Sequence, residues 1–496
     1  MPAPFFTTND SEIPRLEGLY IKERNPPAAI SGAFLGVTGV VGDAIRGPVD
    51  QPIEITSPGQ MSAIFGGRDQ GSGGPVVSSL WKALANKPFG KLVVVRAAAA
   101  AAVAATVTLA DSSGTPVNIV RVDATSVGSW GNNVTCYATS PTDGVSGHFN
   151  LVVKYLGKSY TYKNLDMTST HDNSLQVVGT DPSNVIKLTK LAPGTPSFSA
   201  FTSSTPAVLA SGADGTLADS DFTAAGRGVN VLASYRGVGC VFIAERSSSA
   251  LKTYLQTLAA GATDRLFLCG ADSETVNIST AVAETATGSF AVLDRMVYCY
   301  NHPYTLDPET ATEMLTRPES WMASILSQID VDIHPGEEDT KQFTAGITRL
   351  YQPALAREDY ISLKNAGIAA LEQDEGFAFV SGVTTCLTPG KEQITRRRMT
   401  DYLQISVANF LKHLVKKKNT DTRKTAAAGI IDSFLGNLQD NERVVKAFSV
   451  DPDVLNNPVD EGNGIVRIFM KVRLISHMLE IVLETLIGTQ VTVQEA

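Results

Sequence analysis

Three apolar runs in the middle of the chain, residues 240–243, 266–269 and 296–299, carry no polar alternation, and stretches of helical period at 250–259 and 275–285 separate them. A strand that is apolar on both faces needs cover on both, so these runs predict a βαβαβ parallel sheet clothed by helices. An apolar run at 33–41, helices around 61–65 and 76–84, a buried-type strand at 92–95 and a helix at 320–328 extend the same layered pattern. Toward the end of the chain the period becomes helical. Met399, Tyr402, Leu403, Val407, Phe410, Leu411, Leu414 and Val415 share one face, which predicts an amphipathic helix over 396–418. Ile430, Ile431, Phe434, Leu435 and Leu438 predict a second helix. Val466, Ile468, Met470, Val472 and Leu474 then alternate with Arg467, Phe469, Lys471 and Arg473, the mark of a half-buried strand. The run 479–487 offers that strand a partner, and alternation returns at 489–493.

Composition divides the chain further. Between 97 and 224 there are nine Asp and no Glu, amid many Thr, Ser, Gly, Val and Asn residues. Asp favours turns where Glu favours helices, so this stretch reads as a mostly-β insertion with long loops. Residues 1–30 carry too little apolar surface to fold alone: Leu19, Tyr20 and Ile21 form a short strand-like run between Pro14 and Pro26-Pro27. The expected architecture is thus α/β and α+β, with five parts. These are an N-terminal arm at 1–30, a discontinuous central α/β domain at 31–96 and 225–370, the mostly-β insertion at 97–224, a C-terminal α+β domain at 371–484, and a terminal strand arm at 485–496.

The chemistry that common enzyme motifs would supply is missing from the sequence. There is no H-E-x-x-H, G-x-S-x-G or G-x-G-x-x-G, and Gly157-Lys158-Ser159 lacks the upstream glycine of a phosphate loop. Five cysteines, Cys136, Cys240, Cys269, Cys299 and Cys386, stand far apart with no C-x-x-C spacing, so neither a disulfide framework nor a zinc site is indicated, and no cofactor is expected. The six histidines are scattered. Residues 1–10 have no basic or apolar leader pattern, and the longest uncharged apolar stretch, 97–110, is 14 residues, so neither a secretion signal nor membrane insertion is expected. One catalytic reading stays open. Ligands of open parallel sheets bind beyond the carboxyl ends of strands, and the three strands here end near Glu245, Asp272 and His302, a potential acid/base cluster.

Net charge is −9, yet residues 391–424 hold ten basic residues against three acidic, a local +7. Such segregation suits either a solvated helix face or docking of an acidic partner. Nucleic acid is not expected, because no recognised binding module surrounds the basic residues. Both chain ends are short and strand-prone, and such segments either fray or add to a neighbour's sheet edge. A single added strand binds weakly, since ~1 kcal/mol per hydrogen bond faces ~1–2 kcal/mol per residue of ordering entropy. Two arms per subunit in a lattice would hold by multivalency.

Taken in order, several of these stretches resemble the tail sheath proteins of contractile bacteriophages and related contractile injection systems. The opening Glu17-Gly-Leu-Tyr-Ile-Lys-Glu-Arg24 resembles the sheath opening, in which Pro-Gly-Val is commoner at the start. Arg46-Gly-Pro48, Ile55-Thr-Ser57, Phe65-Gly-Gly67 and the run 91–96 fit the same N-terminal pattern. Toward the C-terminus, Arg396-Arg-Arg398 opens a helix, Thr422-Arg423 precedes the next, and Asn456-Asn457 precedes the strand at 465–474. The length and compact opening resemble sheaths of Mu-type phages.

The resemblance implies a virion protein without catalysis, made in the host cytoplasm, that forms stacked hexameric rings around an inner tail tube and contracts to drive the tube through the host envelope. It implies contacts with copies of itself, with the tube protein, and with baseplate and tail terminator proteins, and none with nucleic acid. The C-terminal domain would face the tube and the insertion would face outward. Leu19, Tyr20 and Ile21, with Thr489, Val491 and Val493, would form the inter-subunit arms. Arg396, Arg397, Arg398, Lys412, Lys416, Lys417 and Lys418 would be the candidates for touching an acidic tube. An α/β enzyme using Glu245, Asp272 and His302, or a non-contractile virion tube or shell protein, are the alternatives.

Overall fold

The computed structural model describes residues 5–7, 20–22, 30, 32–71, 74–84, 91–179, 183–235, 237, 239–307, 310–441 and 443–479. They fall into two compact units, a larger one at 34–401 and a smaller one drawn from 1–33 and 402–496.

The larger unit is built on an eight-stranded sheet in the order Phe377–Phe379, Ile368–Gln373, Met296–Tyr300, Leu266–Gly270, Cys240–Ile243, Val37–Gly42, Lys91–Arg96, Pro52–Ile55. The six inner strands are parallel, and an antiparallel strand closes each edge. Adjacent residues of one strand enter opposite cores. Phe242 packs with Trp321, Ile325 and Leu326 of the helix Pro318–Gln328, while Val241 and Ile243 pack with Leu251 and Leu255 of the helix Ser249–Gly261. That two-sided burial is why the strands read as unbroken apolar runs. The sheet runs on through Ile368–Gln373, so the expected boundary at 370 falls inside a strand. Pairing of that strand with Met296–Tyr300 and with Phe377–Phe379 holds the following residues in the larger unit, which ends at Asp401.

After Arg96 the chain enters the mostly-β region. His148–Tyr155 pairs with Lys158–Asp166 and with Thr135–Thr139, which also meets Ala207–Val208; Asn118–Ala124 pairs with Ile186–Lys190 and Thr106–Ala110. The two sheets share a core around the fully buried Trp130, Phe149 and Leu151. The helix expected at 76–84 starts later. Ser78 Oγ caps it by accepting from the Trp81 N–H at 3.3 Å, and Gly74–Val77 instead pairs as a strand with Arg68–Gly71.

In the smaller unit the helix Asp421–Asp440 packs on the hairpin Val445–Asp451 and Phe469–Leu474. Two expectations shorten here. The helix expected over 396–418 is Ile394–Leu411; beyond it His413, Leu414 and Lys417 donate only to carbonyls three residues back, and Lys416 takes a left-handed φ of 69°. The apolar face that a longer helix would extend ends in Val415, which is 65% exposed. The strand expected from 465 begins at Phe469, because the Asn456 amide takes both the N–H and the carbonyl of Arg467 at 2.7 and 2.9 Å. Tyr20 and Ile21 lie in a three-residue strand, Tyr20–Lys22, paired in parallel with Phe5–Thr7. Leu19, Thr489, Val491, Val493 and the run expected to pair at 479–487, beyond residue 479, lie outside the described residues.

Candidate functional site

The carboxyl ends of the parallel strands meet at Arg317, which the sequence reading did not single out. It is the N-cap of the helix Pro318–Gln328, and its two terminal nitrogens donate to the carbonyls of Ala271 and Asp272, each at 2.7 Å. Glu319, 1% exposed, stands 3.6 Å from Arg317 Nη1. Its carboxylate lies over Gly270, where a Cβ would approach Glu319 Oε2 to 2.6 Å, so only glycine fits beneath it. Glu245 and His302 also feel the Arg317 charge. Burial first, and Arg317 second, push His302 down to about 3, so the imidazole stays neutral. Burial raises Glu245 to about 7. The Asp272 carboxylate instead pairs with Lys252 at 3.0 Å, and Lys252 also meets Glu284 at 2.6 Å. Of the three strand-end residues, two share the field of Arg317 while the third is held in an ion pair. His302 is thereby held neutral near neutral pH, and Asp272 is engaged by Lys252 rather than turned toward the other two.

A cavity of about 430 Å³ opens at the ends of Val37–Gly42 and Lys91–Arg96, lined by Asp43, Arg96, Trp130, Asp214 and Arg246 among others. It lies where the strand order reverses, beside the neighbouring strand Cys240–Ile243. Its principal charges are engaged: Arg96 with backbone carbonyls and Asp214 with the Ser129 N–H at 2.9 Å. Glu245, Asp272 and His302 do not line it. Among the described residues no group of three His, Cys, Asp or Glu side chains is placed to hold a metal ion, and no helix is long and apolar enough to cross a membrane.

The basic segment splits into an inner and an outer half. Arg398 is 5% exposed and donates to the carbonyls of Leu326, Ile329 and Asp330; burial pushes it down to about 10. Arg397 grips Asp401 and Asp294, and Arg396 donates to the Gly390 carbonyl at 2.7 Å. Arg397 and Arg398 are therefore engaged inside the larger unit and withdraw from the candidates for outward contact. Lys412, Lys416, Lys417 and Lys418 are exposed, and among the described residues none of them makes an ion pair. All four lie in the irregular stretch that follows the helix Ile394–Leu411.

No sequence-family model and no curated protein sequence matches the chain. Solved structures do. A sheath tail protein from Desulfitobacterium hafniense superposes with a TM-score of 0.58 at 13% identity, covering 93% of this chain and 100% of that one. A sheath tail protein from Listeria innocua gives 0.60 at 14% identity, covering 90% and 96%. The helical sheath of the anti-feeding prophage in its contracted state gives 0.54 at 12% identity, covering 95% and 99%. The mixed, multidomain fold of this chain is thus the fold of tail sheath proteins, and the resemblance read from the sequence is borne out at the level of fold.

Proposed function

We propose that the chain is the subunit of a contractile tail sheath. The observation that carries this reading is the fold likeness that runs across nearly the whole of both chains, including a sheath solved in its contracted assembly. In this reading the subunits stack as hexameric rings around an inner tube, joined to a baseplate at one end and closed by a terminator protein at the other, in a phage tail built in the host cytoplasm. The extended lattice is a trapped state, and its release to a tighter packing drives the tube forward without nucleotide chemistry. Small free-energy gains per subunit add over the many copies.

The arms supply the continuity such a lattice needs. The hairpin Val445–Asp451 and Phe469–Leu474 is a two-stranded sheet, and both of its outer edges are unpaired among the described residues. Strand addition at those edges by residues around Tyr20 and Ile21 and around Thr489, Val491 and Val493 of neighbouring copies would link the subunits. Deleting 485–496 should leave a folded protein whose melting temperature moves by no more than about 2 °C, since a terminal segment adds little to the core. Electron microscopy and sedimentation should find no tubes. Tubes of normal diameter from the truncated protein would sink the arm assignment.

The exposed lysines are the surface offered to the tube. Reversing Lys416, Lys417 and Lys418 to glutamate should weaken binding of the tube protein by at least about tenfold at low salt, and the difference should shrink as salt rises. Self-assembly of the sheath should be spared. Unchanged tube binding in a pull-down across salt concentrations would leave these lysines as a solvated turn.

A further inference from the structure

We infer that Glu319 and Glu245 form a proton-sensitive brace at the carboxyl edge of the central sheet, in which a buried carboxyl group takes up a proton as the chain folds. Neither oxygen of Glu319 accepts a hydrogen bond within 3.5 Å, its nearest cation being Arg317 Nη1 at 3.6 Å, and Oε1 of Glu245 is likewise sealed from solvent without a partner. The cation whose charge both carboxyls feel is already engaged, because Arg317 directs its terminal nitrogens at two backbone carbonyls. A carboxylate taken from water with too few donors to replace its hydration is disfavoured relative to its neutral acid.

The surroundings set the balance. Burial dominates at both sites and raises both carboxyls. At Glu319 it is opposed by Arg317, by the residue's own backbone N–H and by Lys252. At Glu245 it is opposed by Arg317 and Lys82, while Glu319 and Asp43 add to it. Arg317 also helps keep His302 uncharged, so that ring supplies no second cation. Glu245 has in addition a left-handed φ of 57°, which a long side chain adopts only under constraint from its surroundings.

The direction of the pH effect follows from linkage. Glu245 moves from 4.5 in an unfolded chain to about 7 in the folded one. The folded state therefore holds more protons across that window, and stability falls as pH rises through it. Below the window both states are protonated and the penalty vanishes; above it the penalty is complete. His302 acts in the opposite sense only below its ordinary value of 6.5.

The test is urea unfolding of the full chain, followed by tryptophan fluorescence from about pH 5 to about pH 8.5, for the parent protein, Glu245→Gln and Glu319→Gln. Glutamine keeps the shape and stays neutral. Each variant should match the parent near pH 5 and gain on it as pH rises, by up to about tenfold in the folding equilibrium constant per pH unit. Contributions from other titrating groups cancel in that difference. A difference that is constant with pH would overturn the brace. Should a variant fail to fold, proton uptake on refolding of the parent protein in weakly buffered solution at about pH 7 decides the matter. Net uptake that the surviving variant lacks supports the brace, and no uptake overturns it.

Discussion

Replacing Asp401 by asparagine will destabilise the larger unit by about 3–5 kcal/mol, read as a fall in the urea midpoint. The Asp401 carboxylate, 3% exposed, is gripped by both terminal nitrogens of Arg295 at 2.7 Å, and Arg295 is itself 8% exposed. Arg397 adds a third terminal nitrogen at 2.6 Å from the opposite end of one helical turn. One carboxylate is thus shared by two guanidinium groups, Arg295 buried and Arg397 mostly so. Asparagine keeps the volume but leaves those cations with only the half-exposed Asp294 for compensation, 3.1 Å from Arg397. The cost is the desolvation of charge left unpaired, which is why it exceeds the worth of any surface pair. The exposed pair of Arg349 and Glu313 is the control: at side-chain exposures of 50% and 41% its removal should change stability by less than about 1 kcal/mol.

Arg397 also shows why the basic segment was only half legible in the sequence. A run of three arginines beside an amphipathic helix looks the same whether it is solvated or engaged, and the distant partners that engage it come from residues 294, 326, 329 and 330, far away along the chain. The parallel strands were legible for the opposite reason. Burial on both faces is written into each run itself, so Cys240–Ile243, Leu266–Gly270 and Met296–Tyr300 needed no knowledge of their neighbours. The early end of the helix Ile394–Leu411 was hidden because the apolar period persists through Leu414 and Val415 although nothing covers Val415 in the described structure.

The strand-end cluster shows the same limit. Glu245 and His302 could be reached by asking where parallel strands stop. Arg317 and Glu319 could not, because a glutamate in the first turn of a helix reads as a solvated complement to the helix dipole. No spacing announces that this turn lies over Gly270 and that Glu319 is buried there.

Replacing Arg96 by methionine will cost at least about 3 kcal/mol and loosen the junction between the central sheet and the mostly-β region before the rest of the unit. Arg96 closes the strand Lys91–Arg96 and is 3% exposed. Its Nε donates to the Ala44 carbonyl, Nη1 to Gly47 and Nη2 to Val127, each at 2.9 Å, with Ile45 at 3.4 Å. Val127 belongs to the mostly-β region and the other three carbonyls to the loop after Val37–Gly42, so one side chain ties the two regions together. Burial pushes this guanidinium down to about 10, with Asp214 and Asp43 opposing, so it remains charged throughout the range in which the protein would be handled. Methionine fills much of the volume and supplies no donor, leaving the carbonyls without their partner. Lysine should rescue only part of the loss, since a point charge with one nitrogen cannot reach carbonyls spread around a planar fork. Hydrogen exchange is the discriminating measurement. Amides near 44–47 and 126–128 should exchange faster in the variant, while those of Cys240–Ile243 and Leu266–Gly270 keep their protection. Uniform acceleration would mean that Arg96 supports the whole sheet, and unchanged exchange at the junction would mean that the two regions are held together without it.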